Sequence, residues 1–123
     1  MVADQRGCPT AARDIAKASL DVVLRCASKP EQAPYGIYHF AGAGEATWFE
    51  FAKAILELAA NRLPRSPQVL PICTLDYPTP AVRPADTRLD CTAVVREFGV
   101  ELRPWRQALA DTIDRLLNNK DLP

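Results

Sequence analysis

Two arginines on a proline-rich segment are the residues best suited to ligand chemistry. Arg83 and Arg88 lie in the run 76–90, which reads DYPTPAVRPADTRLD. Prolines stiffen such a run, and a guanidinium group is a planar donor fork that suits phosphate or carboxylate. One interpretation is a diphosphate clamp. In the other, the arginines pair with Asp86 and Asp90 and hold the loop in place, and the spacing leaves both interpretations open.

A glycine-rich turn at 42–44 is the second candidate. The sequence Gly42-Ala43-Gly44 precedes a predicted helix, where glycines let backbone amides approach a phosphate. The third glycine of the dinucleotide-binding pattern would fall at position 47, which is Thr47. The sequence therefore favours a plain strand-to-helix turn over a nucleotide-binding turn.

Residues for proton transfer and redox chemistry are sparse. The single histidine, His39, lies between two aromatic residues and is predicted to be a packed side chain. None of the three tyrosines has a lysine four positions later, the spacing that short-chain dehydrogenases use to activate a tyrosine. The four cysteines include no Cys-x-x-Cys pair, which disfavours zinc and dithiol sites and favours reduced, partly buried thiols.

The elements that must position these residues alternate between extended segments and helices. We predict an extended segment over 2–10, a helix over 11–25 capped by Thr10, a strand over 36–42, a helix over 48–58, an edge strand over 68–74, a short helix over 93–98 and a last helix opening at 104. Thr47 and Glu50 predict a capping box. Asp90 or Thr92 would cap the short helix, and Gly99 would end it.

Two of these elements carry specific burial predictions. The strand over 36–42 is apolar on both sides and is predicted to be buried on both faces. The apolar side of the last helix is predicted to consist of Leu109, Ile113, Leu116 and Leu117.

The composition excludes several classes of protein. The 123 residues are 48% hydrophobic and 24% charged, which is typical of a globular domain and not of a disordered chain. Fifteen basic residues balance fifteen acidic ones, so no general attraction to nucleic acid or to an anionic membrane is expected. No apolar stretch approaches the ~20 residues that span a bilayer, and no secretory signal is recognisable. We expect a cytoplasmic α/β protein without nucleic-acid or membrane partners.

Four segments carry a family pattern in the right order. Residues 2–10 read VADQRGCPT, residues 36–39 and 47–52 read GIYH and TWFEFA, residues 77–89 read YPTPAVRPADTRL, and Pro104-Trp105 precedes the last helix. In these segments the chain resembles the dTDP-4-dehydrorhamnose reductases of the extended short-chain dehydrogenase/reductase superfamily. Each segment alone is a weak signal, but their ordered combination is specific and covers nearly the whole chain.

The resemblance implies the C-terminal part of an NAD(P)-binding, Rossmann-like fold, mostly helices with a few short strands. Residues 1–123 would be its substrate-binding portion. The N-terminal half, with the NAD(P) turn and the Ser/Thr, Tyr and Lys catalytic residues, would lie outside this chain. The intact family enzyme reduces the C4 ketone of dTDP-4-dehydro-6-deoxy-L-mannose with NADPH or NADH, giving dTDP-L-rhamnose for bacterial surface polysaccharide. A dTDP-sugar is therefore the implied ligand, whereas this chain alone is expected to bind no cofactor and to be inactive.

The resemblance also carries over individual site residues. Arg83 is expected to contact the sugar nucleotide, and Arg88 is expected mainly to pin the loop. Asp4 and Gln5 match the family's Asp-Gln pair and are expected near the cleft, either at the ligand or in a structural role. Arg13 stands in the stretch where some members use a glutamate for magnesium-dependent pairing, so no metal site is predicted.

Two alternatives remain open, a non-catalytic homologue of the superfamily and a stand-alone protein-interaction domain. The strand over 36–42 needs neighbouring strands, and under the resemblance several of them would lie in the absent half. Such a chain on its own would expose apolar surface or an open strand edge. We therefore expect it to be marginally stable or to self-associate.

Overall fold

The computed structural model, which describes residues 1–65 and 67–118, contains four helices joined by extended segments. The helices are α1 (Ala12–Ser28), α2 (Trp48–Ala59), α3 (Thr92–Phe98) and α4 (Trp105–Asn118). Two short strands, β1 (Arg6–Gly7) and β2 (Ala46–Thr47), pair antiparallel, and short 3₁₀ turns lie at Pro30–Gln32 and Thr74–Asp76. The predicted architecture, mostly helical with few short strands, is confirmed. None of the described helices combines the length and apolar character needed to cross a bilayer.

Local sequence signals place two helix ends correctly. At the start of α2, the Glu50 amide donates to Thr47 Oγ1 at 3.1 Å, and the Thr47 amide donates to Glu50 Oε2 at 2.8 Å. This is the predicted capping box, which satisfies two amides that the first turn of a helix leaves unpaired. At the end of α3, Gly99 adopts a φ of +66°, a left-handed conformation in which a side chain would be strained.

The other predicted caps are not at the N-cap positions: a tertiary contact diverts Thr10, and the N-cap of α3 is Cys91 rather than Asp90 or Thr92. Thr10 does not cap α1; its hydroxyl donates to the Cys8 carbonyl at 2.8 Å and accepts from the Gly42 amide at 3.0 Å. The helix instead begins after Ala11 and extends to Ser28, beyond the predicted end at 25. Asp90 accepts from the Thr92 amide at 2.8 Å and so holds the first residue of α3.

The prediction of a doubly buried strand over 36–42 is wrong for this chain. No other strand pairs with these residues in the described part of the chain, and Ile37 is 92% exposed. His39 is exposed rather than packed, whereas Tyr38 and Phe40 contact the core from one side. A strand forms only beside a partner strand, and none of the described segments pairs with residues 36–42. The segment is therefore not a strand here. The predicted edge strand over 68–74 is reduced to a single parallel bridge between Ile72 and Val2.

The apolar interior is divided into two small clusters. The first joins α1 to α3 and consists of Ala18, Ala41, Cys91, Val94, Phe98 and Val100. The second joins β2, α2 and α4 and consists of Ala46, Ala54, Ala59, Trp105, Leu109 and Ile113. Of the predicted apolar side of α4, Leu109 and Ile113 are buried, whereas Leu116 and Leu117 are exposed.

Helix α1 has apolar residues on two faces, and only one of them is packed. Ala18 is buried, and Val22 and Cys26 pack against the first cluster. The side of the helix that faces away from this cluster carries Leu20, Val23 and Leu24, which are 57–61% exposed. Three large exposed apolar side chains on one side of a helix form the type of surface that commonly marks an interface.

Candidate functional site

An open cleft of about 440 Å³ lies between the two strands, the start of α2 and the loop that carries Arg83. The side chains that give it chemical character are Gln5, Arg6, Trp48, Phe51, Arg83 and Thr87. Its volume is within the range of roughly 300–1,000 Å³ that is usual for small-molecule sites. It combines arginines with an apolar wall, which suits a ligand with anionic and flat apolar parts.

One wall of the cleft is fixed by backbone hydrogen bonds from β1 to residues 85–87. The Arg6 amide donates to the Ala85 carbonyl at 2.8 Å, and the Thr87 amide donates to the Arg6 carbonyl at 2.9 Å. Thr87 Oγ1 also donates to the Arg6 carbonyl at 2.9 Å. A Cβ on Gly7 would lie 2.9 Å from Thr87 Oγ1, so the close approach of these two segments requires glycine.

The structure brings two of the four predicted site residues into the cleft. Gln5 and Arg83 both line it, whereas Asp4 and Arg88 lie outside its lining. Asp4 Oδ1 accepts from Thr74 Oγ1 at 2.7 Å, and the Gln5 side-chain amide donates to the same hydroxyl at 3.1 Å. The Thr74 side-chain and backbone hydrogen bonds keep the pKa of Asp4 below its ordinary value. Asp4 thus holds Thr74, which in turn orients the buried Gln5.

The two arginines of the proline-rich loop have different surroundings. Arg83 is exposed, and no carboxylate of the described residues lies within ion-pair distance of it. Arg88 pairs with Asp86, its Nη2 lying 2.6 Å from Asp86 Oδ2, and also with Glu45. Asp90, the second predicted partner, is instead used at the start of α3. The interpretation that the arginines pair within the loop therefore holds for Arg88 with Asp86 and not for Arg83.

The charges around the cleft are organised by Glu45. Its Oε1 lies 2.5 Å from Arg6 Nη1, and its Oε2 pairs with Arg88. The Arg88 hydrogen bond, with help from Arg6, lowers the pKa of Glu45 below its ordinary value. Hydrogen bonds from the side chain and backbone of Arg88 lower the pKa of Asp86 to about 2. Both carboxylates are therefore charged at neutral pH, while Arg83 has no such partner in the described residues.

The apolar wall comes from the first turns of α2. Trp48 is 53% exposed and lines the cleft, so its aromatic side chain is accessible to a ligand there. Phe51 contacts Trp105 edge-on, with ring centroids 5.9 Å apart, and is thereby anchored to the second apolar cluster.

The glycine turn at 42–44 does not fit a dinucleotide pyrophosphate. The Gly42 amide donates to Thr10 Oγ1, and the Ala43 amide donates to the Arg103 carbonyl at 2.9 Å. A Cβ on Gly42 would lie 2.4 Å from the Pro9 carbonyl oxygen, so this glycine serves chain packing. Because the turn amides are used within the protein, the plain-turn interpretation fits the structure and no NAD(P) site is assigned here.

The described residues contain no group of three or more His, Cys, Asp or Glu side chains arranged to hold a metal ion. All four cysteines are free thiols. Cys91 is buried, Cys8 and Cys26 are partly buried, and Cys73 is exposed. The prediction of partly buried thiols thus describes two of the four, Cys8 and Cys26.

Sequence reasoning missed Arg6, Glu45 and Trp48. Arg6 directly follows Asp4 and Gln5, and this position in the sequence could have indicated that it also lies near the cleft. Trp48 follows the N-cap residue and is separated from Phe51 by three positions, which places both on one side of the first helical turns. Glu45 carried no usable signal, because its partner Arg88 is 43 residues away.

The chain is similar to known proteins along nearly its whole length. The family model described as RmlD substrate binding domain matches residues 1–118. A dTDP-4-dehydrorhamnose reductase of Sinorhizobium fredii is 39% identical over 117 residues, covering 95% of this chain and 40% of that protein. The solved structure of a dTDP-4-dehydrorhamnose reductase from Clostridium acetobutylicum superposes with a TM-score of 0.73, with 30% identity, covering 94% of this chain and 37% of that one. The Bacillus anthracis reductase, solved in complex with NADP, superposes with a TM-score of 0.67 at 30% identity, covering 89% of this chain and 35% of that one. The chain therefore spans about 40% of the length of the curated relatives it matches.

Proposed function

Because this chain belongs to the RmlD substrate-binding domain family, we propose that it is the sugar-nucleotide-binding part of a dTDP-4-dehydrorhamnose reductase. The intact enzyme would reduce the C4 ketone of dTDP-4-dehydro-6-deoxy-L-mannose and yield dTDP-L-rhamnose in the cytoplasm. The observation that carries the proposal is Arg83, an exposed guanidinium in the cleft without a carboxylate partner among the described residues. A diphosphate supplies the negative charge that such a guanidinium binds.

The cleft offers a separate surface for each part of a dTDP-sugar. Arg83 and Arg6, which both line the cleft, would bind the diphosphate, and the exposed ring of Trp48 would stack on a flat apolar group of the ligand. The Gln5 side chain, oriented by Thr74, supplies a polar group for hydroxyls. The chain contributes binding and orientation, and NADPH or NADH with the catalytic residues would belong to the remainder of the enzyme.

Binding of thymidine diphosphate tests this role directly. We expect isothermal titration of the 123-residue chain to detect binding, and Arg83→Ala to weaken it about tenfold, as expected for loss of a charge-assisted hydrogen bond at an exposed position. Arg96→Ala is the matched control, because Arg96 lies on α3, pairs with Glu97 and is also exposed to solvent. Equal affinity of the Arg83 and Arg96 variants for thymidine diphosphate would favour a stand-alone interaction domain. So would a folded chain that does not bind thymidine diphosphate at millimolar concentration.

We also propose that residues 1–123 form the C-terminal portion of the enzyme and pack against an N-terminal Rossmann half. The unpaired segment at 36–42, with Ile37 almost fully exposed, supports this arrangement, because an added strand would satisfy its backbone and cover its side chains. The exposed apolar face of α1 supports it as well. A Tyr-x-x-x-Lys pair in the preceding part of the source protein would mark a catalytic member, and its absence would indicate a non-catalytic homologue.

Self-association of the isolated chain is the expected result of these exposed surfaces. Sedimentation velocity should show concentration-dependent oligomers, and replacing Leu20 and Val23 by lysine should reduce them. Val82→Lys is the control, because Val82 is fully exposed in the loop and away from α1. A monomer with a sharp two-state melt would contradict this part of the proposal.

A further inference from the structure

The side chain of Glu45 binds an arginine on each of the two segments that form one wall of the cleft. Its Oε1 binds Arg6 Nη1 at 2.5 Å on β1, and its Oε2 binds Nη1 of Arg88, which follows the 83–87 wall. These arginines are 82 residues apart in sequence, and the pairs are partly exposed, with 40% of the Glu45 side chain accessible. One carboxylate therefore adds a side-chain link between two segments that are distant in sequence and already joined through the Arg6 backbone.

Asp86 holds the remaining donors of Arg88. Arg88 Nε lies 2.9 Å from Asp86 Oδ1 and 3.0 Å from Oδ2, while Nη2 lies 2.6 Å from Oδ2. The Arg88 guanidinium thus donates to Asp86 through Nε and Nη2 and to Glu45 through Nη1, which fixes its plane. Exposed ion pairs taken singly contribute little, but a bidentate pair within a network restricts geometry.

The network lies directly beside the backbone that shapes the cleft. The Thr87 amide and hydroxyl both bind the Arg6 carbonyl, and the Arg6 amide binds the Ala85 carbonyl. Arg83 and Pro84 continue this wall into the cleft lining, in a stretch where every residue from 81 to 90 is exposed. An exposed wall has no core of its own to hold it, so its position depends on these polar contacts.

We propose that Glu45 and Arg88 are positioning residues that hold the Arg83-bearing wall against β1 and so set the affinity of the cleft for a diphosphate. This inference rests on the proposed function. Neither side chain lines the cleft, and Glu45 occupies donors of both Arg6 and Arg88. Its role is therefore to arrange the groups that contact the ligand.

The test uses Glu45→Gln, which keeps the size of the side chain and removes its charge. We expect thymidine diphosphate to bind about three- to tenfold more weakly, corresponding to the loss of two exposed ion pairs, while thymidine binds with unchanged affinity. Thymidine lacks the diphosphate, so it reports a cleft that is merely misfolded. Glu57→Gln is the matched control, because Glu57 pairs with Lys53 on α2 and does not line the cleft.

Arg88→Lys separates geometry from charge. Lysine keeps the positive charge but lacks the planar fork, so this variant should weaken thymidine diphosphate binding as Glu45→Gln does. Unchanged or tighter diphosphate binding by Glu45→Gln would overturn the proposal, and tighter binding would mean that Glu45 competes with the ligand for Arg6. Equal weakening for thymidine and thymidine diphosphate would also overturn it, because the effect would then be structural.

A ligand-free measurement distinguishes failure of this inference from failure of the proposed function. Hydrogen exchange of the Thr87 amide, which donates to the Arg6 carbonyl, reports whether the wall stays on β1. We expect exchange to accelerate several-fold in Glu45→Gln and not in Glu57→Gln. If the unmodified chain does not bind thymidine diphosphate, the proposed function and the affinity role are both wrong, whereas unchanged Thr87 exchange in Glu45→Gln shows that Glu45 does not hold the wall.

Discussion

A single methyl group at Gly42 should separate the two segments that meet behind the cleft. A Cβ at this position would lie 2.4 Å from the Pro9 carbonyl oxygen and 3.5 Å from that of Arg103. The first distance is about 1 Å shorter than an ordinary contact, and both neighbours are backbone atoms. The turn cannot retreat freely, because the Gly42 amide bonds Thr10 and the next amide bonds Arg103.

The cost follows from this geometry. Forcing an extra methyl into a packed site costs about 1–3 kcal/mol. Replacing glycine also restricts the unfolded chain, which returns about 0.4–1 kcal/mol. We therefore expect Gly42→Ala to lower the free energy of unfolding by about 1–2 kcal/mol, and to weaken thymidine diphosphate binding because Pro9 and Thr10 line the cleft.

Urea denaturation followed by tryptophan fluorescence measures this loss. In a Trp48→Phe background the buried Trp105 is the only tryptophan, and the urea midpoint should fall by about 0.5–1 M. Gly36→Ala is the control, since its Cβ would meet only the Tyr38 side chain at 3.4 Å. If Gly42→Ala unfolds at the same urea concentration as Gly36→Ala, the close contact with Pro9 is wrong.

Three further predictions concern helix ends and loop charges. Thr47→Ala should remove the capping box and lower the free energy of unfolding, measured by urea denaturation, by about 1 kcal/mol. The control Thr92→Ala, at the exposed start of α3, should change it by less than about 0.5 kcal/mol. Gly99→Ala should lower the free energy of unfolding by about 1 kcal/mol through its φ of +66° alone, because its Cβ would meet no atom within 4 Å. Gly99→Asn should recover part of that loss. An alanine variant as stable as the unmodified chain would contradict the left-handed conformation. Asp86 has a folded-state pKa of about 2 against an ordinary 3.8, so its stabilising contribution is complete above 3.8 and lost as the pH falls toward 2. Carboxyl NMR shifts of Asp86 should report that midpoint, and Arg88→Ala should return it toward 3.8.

The parts of the fold that the sequence predicted correctly are those decided within a few residues. The capping box at Thr47 and Glu50 and the glycine that ends α3 need only their own helix. Thr10 shows the limit of that reasoning, because a tertiary contact with Gly42 uses the hydroxyl that would have capped α1. Local signals therefore fail where a distant segment offers the same group a better partner.

The burial of residues 36–42 and the pairing of Glu45 with Arg88 both depend on partners that the local sequence does not identify. The segment around Ile37 has the composition of a buried strand, but burial depends on a partner that the described chain does not provide. Arg83 and Gln5 were placed at the cleft through the family pattern, and the structure puts both in its lining. The pairing of Glu45 with Arg88 could not be foreseen, since charges 43 residues apart meet only through the folded backbone.

Residues 1–7 are hydrogen-bonded to two segments that are synthesised later, and this has a consequence for the order of folding during synthesis. Asp4 bonds Thr74 across 70 residues, and Arg6 bonds Thr87 across 81. At ribosomal rates of about 5–20 residues per second, these partners emerge roughly 4–16 s after the opening segment. Helices α1 and α2 are made well within that interval, so they precede the cleft in order of assembly. A nascent chain stalled before residue 85 should therefore hold no assembled cleft, and ligand binding should begin only once Thr87 has left the ribosome.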